Sequence, residues 1–246
     1  MRSIDLNADL GEGCSHDAEL IALVSSVNIA CGGHAGDEST MHAAIEASLA
    51  SDVAIGAHPG YEDHEHFGRR ALHLAPDKIA DLVSRQIERL MKIAARSDAI
   101  IHHVKPHGAL YQQANQDPEM ATAVVNGVAR IHPRCKFYVP ASGELAAAGK
   151  AAELLIRNEG FADRRYQEDG QLQPRNEDGS VIHDIGVAVA QSLEIALHHR
   201  VMTASHSFIP LHAQTLCIHG DGANAVALLQ AVRSALLKHE FTILAR

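Results

Sequence analysis

The chain has 246 residues, a formal charge of −9 and no tryptophan. That length suits one large α/β domain over residues 1–246, and no Pro/Gly/Ser-rich linker divides it. The acidic balance argues against nucleic acid or an anionic membrane surface as partner, and without a bilayer-length apolar run or an apolar signal core the expected compartment is the cytoplasm.

Short β-type runs recur along the chain with helical patterns between them. The first, Ile4 to Ala8, carries Asp5 and Asn7, with Asp9 next in the same alternation, so period-two geometry points all three to one side ahead of Gly11-Glu12-Gly13. Polar groups on a buried face must be hydrogen-bonded or bind something, because an unpaired one costs roughly 1–3 kcal/mol. The second run, Val27 to Ala30, contains Asn28 and opens into Cys31-Gly-Gly-His34-Ala-Gly-Asp37, where glycines allow the backbone close approach to a ligand. The third, Val53 to Ala57, exits through His58-Pro59-Gly60-Tyr61 toward Arg69 and Arg70.

An amphipathic helix is expected over Lys78 to Ala95, where Ile79, Leu82, Val83, Ile87, Leu90, Met91 and Ala94 trace one apolar face. The fourth β run, Ile100 to Val104, stops before Pro106 and leaves Lys105 and His107 at a strand's exit, where parallel α/β folds collect catalytic side chains. Helix starts are expected at Asp117 before Pro118, at Ser142 before Gly143, and at Asp184 before the Ala-rich run to Leu197. The remaining β runs are Lys136 to Val139, Leu154 to Arg157, Thr215 to Ile218 and Phe241 to Leu244; two of them lead into Glu159-Gly-Phe-Ala-Asp163-Arg164 and Cys217-Ile-His219-Gly-Asp221-Gly. Strand alternating with helix means a mainly parallel sheet. Seven or eight repeats suggest a closed or nearly closed barrel, with a doubly wound open sheet as the alternative.

Four well-separated cysteines (Cys14, Cys31, Cys135, Cys217) fit reduced thiols better than a disulfide framework. The histidine count of 18 is high, but His42, His73, His132, His198, His199 and His239 fall in or beside expected helices, where an exposed or satisfied ring is the plain reading. The histidines at strand exits are a different matter, since each has a glycine or carboxylate close by.

Taken together, Asp5 to Gly13, Asn28 to Asp37, Gly56 to Arg70, His103 to Tyr111, Glu159 to Arg164 and Cys217 to Gly222 resemble the LamB/YcsF family, whose members form the A subunit of bacterial 5-oxoprolinase. The resemblance implies a distorted seven-stranded (β/α) barrel, TIM-barrel-like and related to the polysaccharide deacetylases. It also implies ATP-dependent opening of 5-oxoproline to glutamate, with ATP as co-substrate and B and C subunits as partners. A homo-oligomer stays open.

A lactam is a poor electrophile, so this chemistry needs cations for developing oxyanions and groups that move protons. Lys105 suits a carboxylate or phosphoryl oxygen, His34, His58 or His107 proton transfer, and Asp9 or Glu12 the orientation of water. Substrate contacts are expected from Asp5, Asn7, Glu12, Asn28, Asp37, Arg69, Glu159, His219 and Asp221. Each has a plainer alternative: a structural hydrogen-bond network for Asp5, Asn7 and Asp9, and a solvated loop pair for Arg69 and Arg70. Asp9, His34 and His58, from three successive strand ends, also match the Asp/His/His set that the related deacetylases use for a divalent ion. Cys31 with His34 and Cys217 with His219 imitate zinc spacing more weakly. No Walker A loop is present: Gly143 to Ala151 has one residue too many between its glycines and lacks the final Ser or Thr, which leaves nucleotide chemistry wholly or partly to partner subunits. The glycine-flanked turns at Cys31 to Asp37 and His219 to Gly222 are the remaining places for a phosphoryl group. The alternatives are a metal-dependent hydrolase of N-acyl substrates and a non-catalytic subunit that binds 5-oxoproline.

Overall fold

The computed structural model describes residues 2–222 and 224–245. Strand β1 (Arg2–Leu10) leads through the short helix α1 (Asp17–Ile21) to β2 (Ser26–Ala30), and α2 (Glu38–Ala50) carries the chain on to β3 (Ala54–His58). Helix α3 (Pro76–Ala94) precedes β4 (Ile101–Val104), and two helices, α4 (Gly108–Gln116) and α5 (Pro118–Ile131), precede β5 (Lys136–Pro140). After α6 (Glu144–Ala151) and β6 (Leu155–Phe161), residues 162–184 run without helix to α7 (Ile185–His198). A hairpin of β7 (Arg200–Met202) and β8 (Phe208–Pro210) follows, then β9 (Thr215–Ile218), α8 (Ala225–Lys238) and β10 (Phe241–Ile243).

The order β1-β2-β3-β4-β5-β6-β9 returns to β1, so seven parallel strands close into a barrel. The run at Phe241, expected as a strand, pairs only with Arg2 to Ile4 at the start of β1 and lies outside the closed ring. The barrel stands because β1 is long. Its first residues take β10 as neighbour, and Asp5 to Ala8 then take β9.

Both faces of β1 are buried, and they differ in kind. Ile4, Leu6, Ala8 and Leu10 belong to the apolar core shared with the helices, whereas Asp5, Asn7 and Asp9 alternate with them and are also buried. Partners for these polar groups come from neighbouring strands. Asp5 accepts from Ser25, Ser26, Tyr138 and Thr215 at 2.6–2.9 Å. Above it, Asn7 donates to Glu159 at 3.0 Å and to Thr215 at 2.7 Å, and Asn28 donates to Asn7 at 2.8 Å. His103 Nε2 lies 2.7 Å from the side-chain oxygen Oδ1 of Asn28, and Gly56 on β3 is a glycine because any Cβ there would collide with the His103 ring.

Around the barrel the helices follow their sequence signals. In α3, Ile79, Leu82, Val83, Ile87 and Leu90 are buried, and Pro76 occupies its first turn. Asp117 and Asp184 cap α5 and α7 through their side chains. The α6 cap differs from expectation: Gly143, at φ 120°, is the N-cap in place of Ser142, because a positive φ there suits only glycine. The four cysteines are unpaired. Among the described residues no helix is long and apolar enough to cross a membrane.

Candidate active site

At the exit end of the barrel the polar interior turns ionic. Lys105 follows β4, and its Nζ lies 2.9 Å from Asp9 Oδ1, 3.0 Å from Glu159 Oε1 and 3.1 Å from Cys217 Sγ. All four side chains are almost fully buried. Burial works against the ammonium, but Asp9, Cys217 and Glu159 outweigh it and hold the Lys105 pKa well above its ordinary value. Burial likewise pushes Asp9 up, and His58 and Lys105 overcome it, so its carboxyl stays well below the usual carboxylate range. Glu159 is fixed from the other side by Tyr111, whose hydroxyl donates to Oε2 at 2.8 Å. The result is a lysinium held on two carboxylates that come from distant parts of the sequence.

A histidine cluster adjoins this centre. His58 Nδ1 lies 2.7 Å from the Lys105 carbonyl oxygen, and His107 Nε2 lies 2.9 Å from the Phe67 carbonyl oxygen. The remaining nitrogens, His58 Nε2 and His107 Nδ1, are 2.9 Å apart. His34 stacks on His107 with ring centroids 3.6 Å apart, and its Nε2 is 3.1 Å from Glu12 Oε1. Burial drives the His34 and His107 pKa values down, while burial and then the Asp9 charge drive that of Glu12 up.

The centre faces a cavity of about 450 Å³, within the range of small-molecule sites. Asp9, His58, Lys105 and His107 line its floor, Phe161 and His219 one wall, and Arg69 and Arg175 its rim. Arg69 and Arg175 both reach Asp221 Oδ2, at 2.5 and 3.0 Å. Burial raises the Asp221 pKa, but the two guanidinium groups hold it well below the ordinary carboxylate range. One carboxylate shared by two arginines leaves a net positive rim. His219 completes the wall: its Nδ1 sits 2.9 Å from Asp163 Oδ2, which fixes the tautomer and leaves Nε2 as the nitrogen free for a substrate proton. Asp163 stays ionised because His219 offsets the effect of its burial.

The barrel thus gathers Asp9, Lys105, His58, His107, Arg69 and His219 at one cavity, with Asp221 holding the rim, and His34, Glu12 and Glu159 in contact with them. Asn7 and Asn28 lie one layer below, bonded to Lys105 and Asp9. Asp5 and Asp37 stand apart. Asp5 is satisfied by four hydroxyls inside the barrel, and Asp37 is exposed and caps α2 in a capping box with Thr40. The glycine close approach after β2 serves the protein itself: a Cβ at Gly33 would run into Gln86 and the Gly60 carbonyl, so this tight turn packs on its own chain. Arg69 and Arg70, for which a solvated loop pair is the plainer alternative, are both exposed and part company, Arg69 reaching Asp221 and Arg70 turning to Asp63 at 3.4 Å. Three residues were not among the expected site residues. Asp163 continues the alternation Glu159, Phe161, Asp163, a signal visible in the sequence; Tyr111 ends a motif already noted, and Arg175 lies in a stretch without periodicity.

Residues 4–245 match the model of the LamB/YcsF family. The fold is similar to the crystal structure of a lactam utilization protein from Thermus thermophilus, with 36% identity, a TM-score of 0.93, and coverage of 99% of this chain and 100% of that one. A family 4 carbohydrate esterase from Streptomyces lividans in complex with acetate is similar in fold alone, at 10% identity and TM-score 0.52, covering 98% of this chain and 91% of that one. The same holds for T48 deacetylase with substrate, at 13% identity and TM-score 0.52, covering 99% and 87%.

Proposed function

Since the chain belongs to the LamB/YcsF family, we propose that it is a hydrolase subunit that opens the lactam of 5-oxoproline to glutamate, with ATP as co-substrate and B and C subunits as partners. The lactam utilization protein that it resembles over its whole length supports the substrate class. The observation that carries the reading is Lys105, a buried cation at the floor of a cavity whose rim is also cationic.

The chemistry follows from the substrate. A five-membered lactam is resonance-stabilised, and water attacks it slowly; transfer of the γ-phosphoryl group to its carbonyl oxygen, with ADP leaving, makes the carbon electrophilic. One water then adds, and the C–N bond breaks as the ring nitrogen takes a proton. A second water releases phosphate from the resulting acyl phosphate. Arg69 and Arg175 suit the substrate carboxylate, being two guanidinium groups on a shared counter-ion. Lys105 stands where negative charge develops, and His219, oriented by Asp163, moves protons. Nucleotide contacts are assigned mainly to the partner subunits, because Gly143 to Ala151 forms the cap and body of α6 and makes no phosphate loop.

The test gives the purified chain 5-oxoproline with and without ATP, alone and with B and C subunits. Glutamate is expected only in the complete mixture with ATP, and Lys105→Met is expected to lower its rate by about 100-fold or more, the scale of losing one preorganised charge partner of an oxyanion. Glutamate formed by the isolated chain without ATP overturns the reading.

A further inference from the structure

The hydrogen bonds of the histidine cluster decide which nitrogens are free. A carbonyl oxygen only accepts, so His58 Nδ1 and His107 Nε2, bonded to the carbonyls of Lys105 and Phe67, carry their ring hydrogens. In the neutral rings His58 Nε2 and His107 Nδ1 then both present lone pairs, and they face each other across 2.9 Å. Two acceptors at that distance repel unless something positive lies beside them. Glu12 Oε1 completes a triangle, 3.3 Å from His107 Nδ1 and 3.9 Å from His58 Nε2.

Those separations bracket the ones a metal site needs. Ligand atoms about 2.0–2.2 Å from a tetrahedral ion stand roughly 3.3–3.6 Å from one another, and the three edges here are 2.9, 3.3 and 3.9 Å. The rings of His58 and His107 are at 90°, so their lone pairs can meet at one point. His34 differs. Its ring is parallel to that of His107 within 3° and stacked on it at 3.6 Å, so no single point lies in both ring planes. Its contact with Glu12 makes it the group that orients the carboxylate.

The geometry points to a three-ligand site for one divalent transition-metal ion, held by Glu12 Oε1, His58 Nε2 and His107 Nδ1. Two of the three ligands, His58 and His107, line the cavity, so an ion held there would be open to it. This set differs from the Asp9, His34, His58 combination expected from strand order: Asp9 Oδ1 is taken by Lys105 and Asn28 while its Oδ2 stands beside the set, 3.4 Å from His58 Nε2, and His34 stacks where it cannot share an ion with His107. A second group of ligand types, Asp9, Cys217 and His219, lies nearby, but the Lys105 ammonium already sits on Asp9 and Cys217. Glu12, His58 and His107 would hold such an ion, and the chemistry it would supply there is that of a Lewis acid that activates water.

The measurement requires neither lactam nor ATP, so its outcome is separate from that of the proposed activity. Chelator-stripped protein is titrated with Zn²⁺ and with Co²⁺, followed by calorimetry, by retained metal per chain and by the visible Co²⁺ spectrum. One ion per chain is expected, with nitrogen and oxygen ligand-field bands and no thiolate charge transfer. Glu12→Gln and His107→Asn are expected to weaken binding by about 100-fold or more, His34→Asn by roughly 10-fold as an outer-shell change, and Cys217→Ser to leave it in place. Glu12→Gln is isosteric, so its affinity alone decides the matter if the histidine variant fails to fold by circular dichroism. No uptake by the stripped chain, meaning that a shared proton bridges the rings, overturns the site. Wild-type affinity in Glu12→Gln does so as well.

Discussion

Asp221 shows how a single carboxylate organises the rim. Its Oδ2 receives both Arg69 and Arg175, and although burial opposes ionisation, the two arginines hold its pKa well below the ordinary range. A carboxyl whose folded-state pKa is depressed adds stability above its unfolded pKa, about 3.9 for aspartate, and loses it as pH falls through the folded value. Asp221→Asn is therefore expected to be less stable than wild type by a constant margin between about pH 5 and 7, with the margin closing below about pH 4 in urea melts. A margin that widens in acid contradicts this assignment. At this scale Lys105, His107 and His58 were legible because each ends a β run beside Pro or Gly. The pairing of Asp163 with His219 was not, since the partners are 56 residues apart and neither alone reports the other. The histidine tautomers were also out of reach, because they depend on the carbonyls of Lys105 and Phe67, which no side-chain pattern encodes.

Among the elements, the stretch from 162 to 184 contributes most that the sequence does not announce. It carries Leu172, Pro174, Arg175 and Asn176 to the cavity without helix or regular strand of its own. Its base is fastened by α7, where Gln191 Nε2 lies 2.7, 3.3 and 2.8 Å from the carbonyl oxygens of Phe161, Ala162 and Arg164. Arg164 fastens it further along, donating to the Gln173 carbonyl oxygen at 2.6 Å. Replacing Gln191 with Leu leaves buried carbonyls unpaired, so a loss of roughly 1–3 kcal/mol is expected in chemical denaturation, together with faster amide exchange across 162–184. Unchanged exchange there would show that α7 does not hold the segment. The strands of the barrel were readable as β-branched runs with turn residues at their ends, and α3 as a 3.6-residue apolar stripe. The β7–β8 hairpin was not, because three-residue strands leave too short a pattern, and the α6 cap was misplaced by one residue where glycine's positive φ outweighed the serine hydroxyl.

The molecule as a whole is a barrel with its polarity turned inward. Helices bury the outer faces of the strands, and the interior is filled by a connected network that runs from Asp5 through Thr215, Asn7, Asn28 and Glu159 to Lys105. Each member has partners from other strands, so closure of the ring is what satisfies those polar residues and also what fixes the lysinium in place. Parallel strands all deliver their exits to one end, and segments at residues 9, 58, 105 and 219 therefore meet at one cavity. The alternation of elements made the barrel class legible; whether its last run would join the ring was not, because the pairing of β10 with the first residues of β1 depends on the length of β1. The most direct measurement is a crystal structure of the chain with 5-oxoproline bound. The ligand carboxylate is expected between Arg69 and Arg175, with the lactam oxygen toward Lys105 Nζ. A ligand seated instead in the separate cavity lined by Asp5 and Tyr138, with the Lys105 floor empty, would contradict that placement.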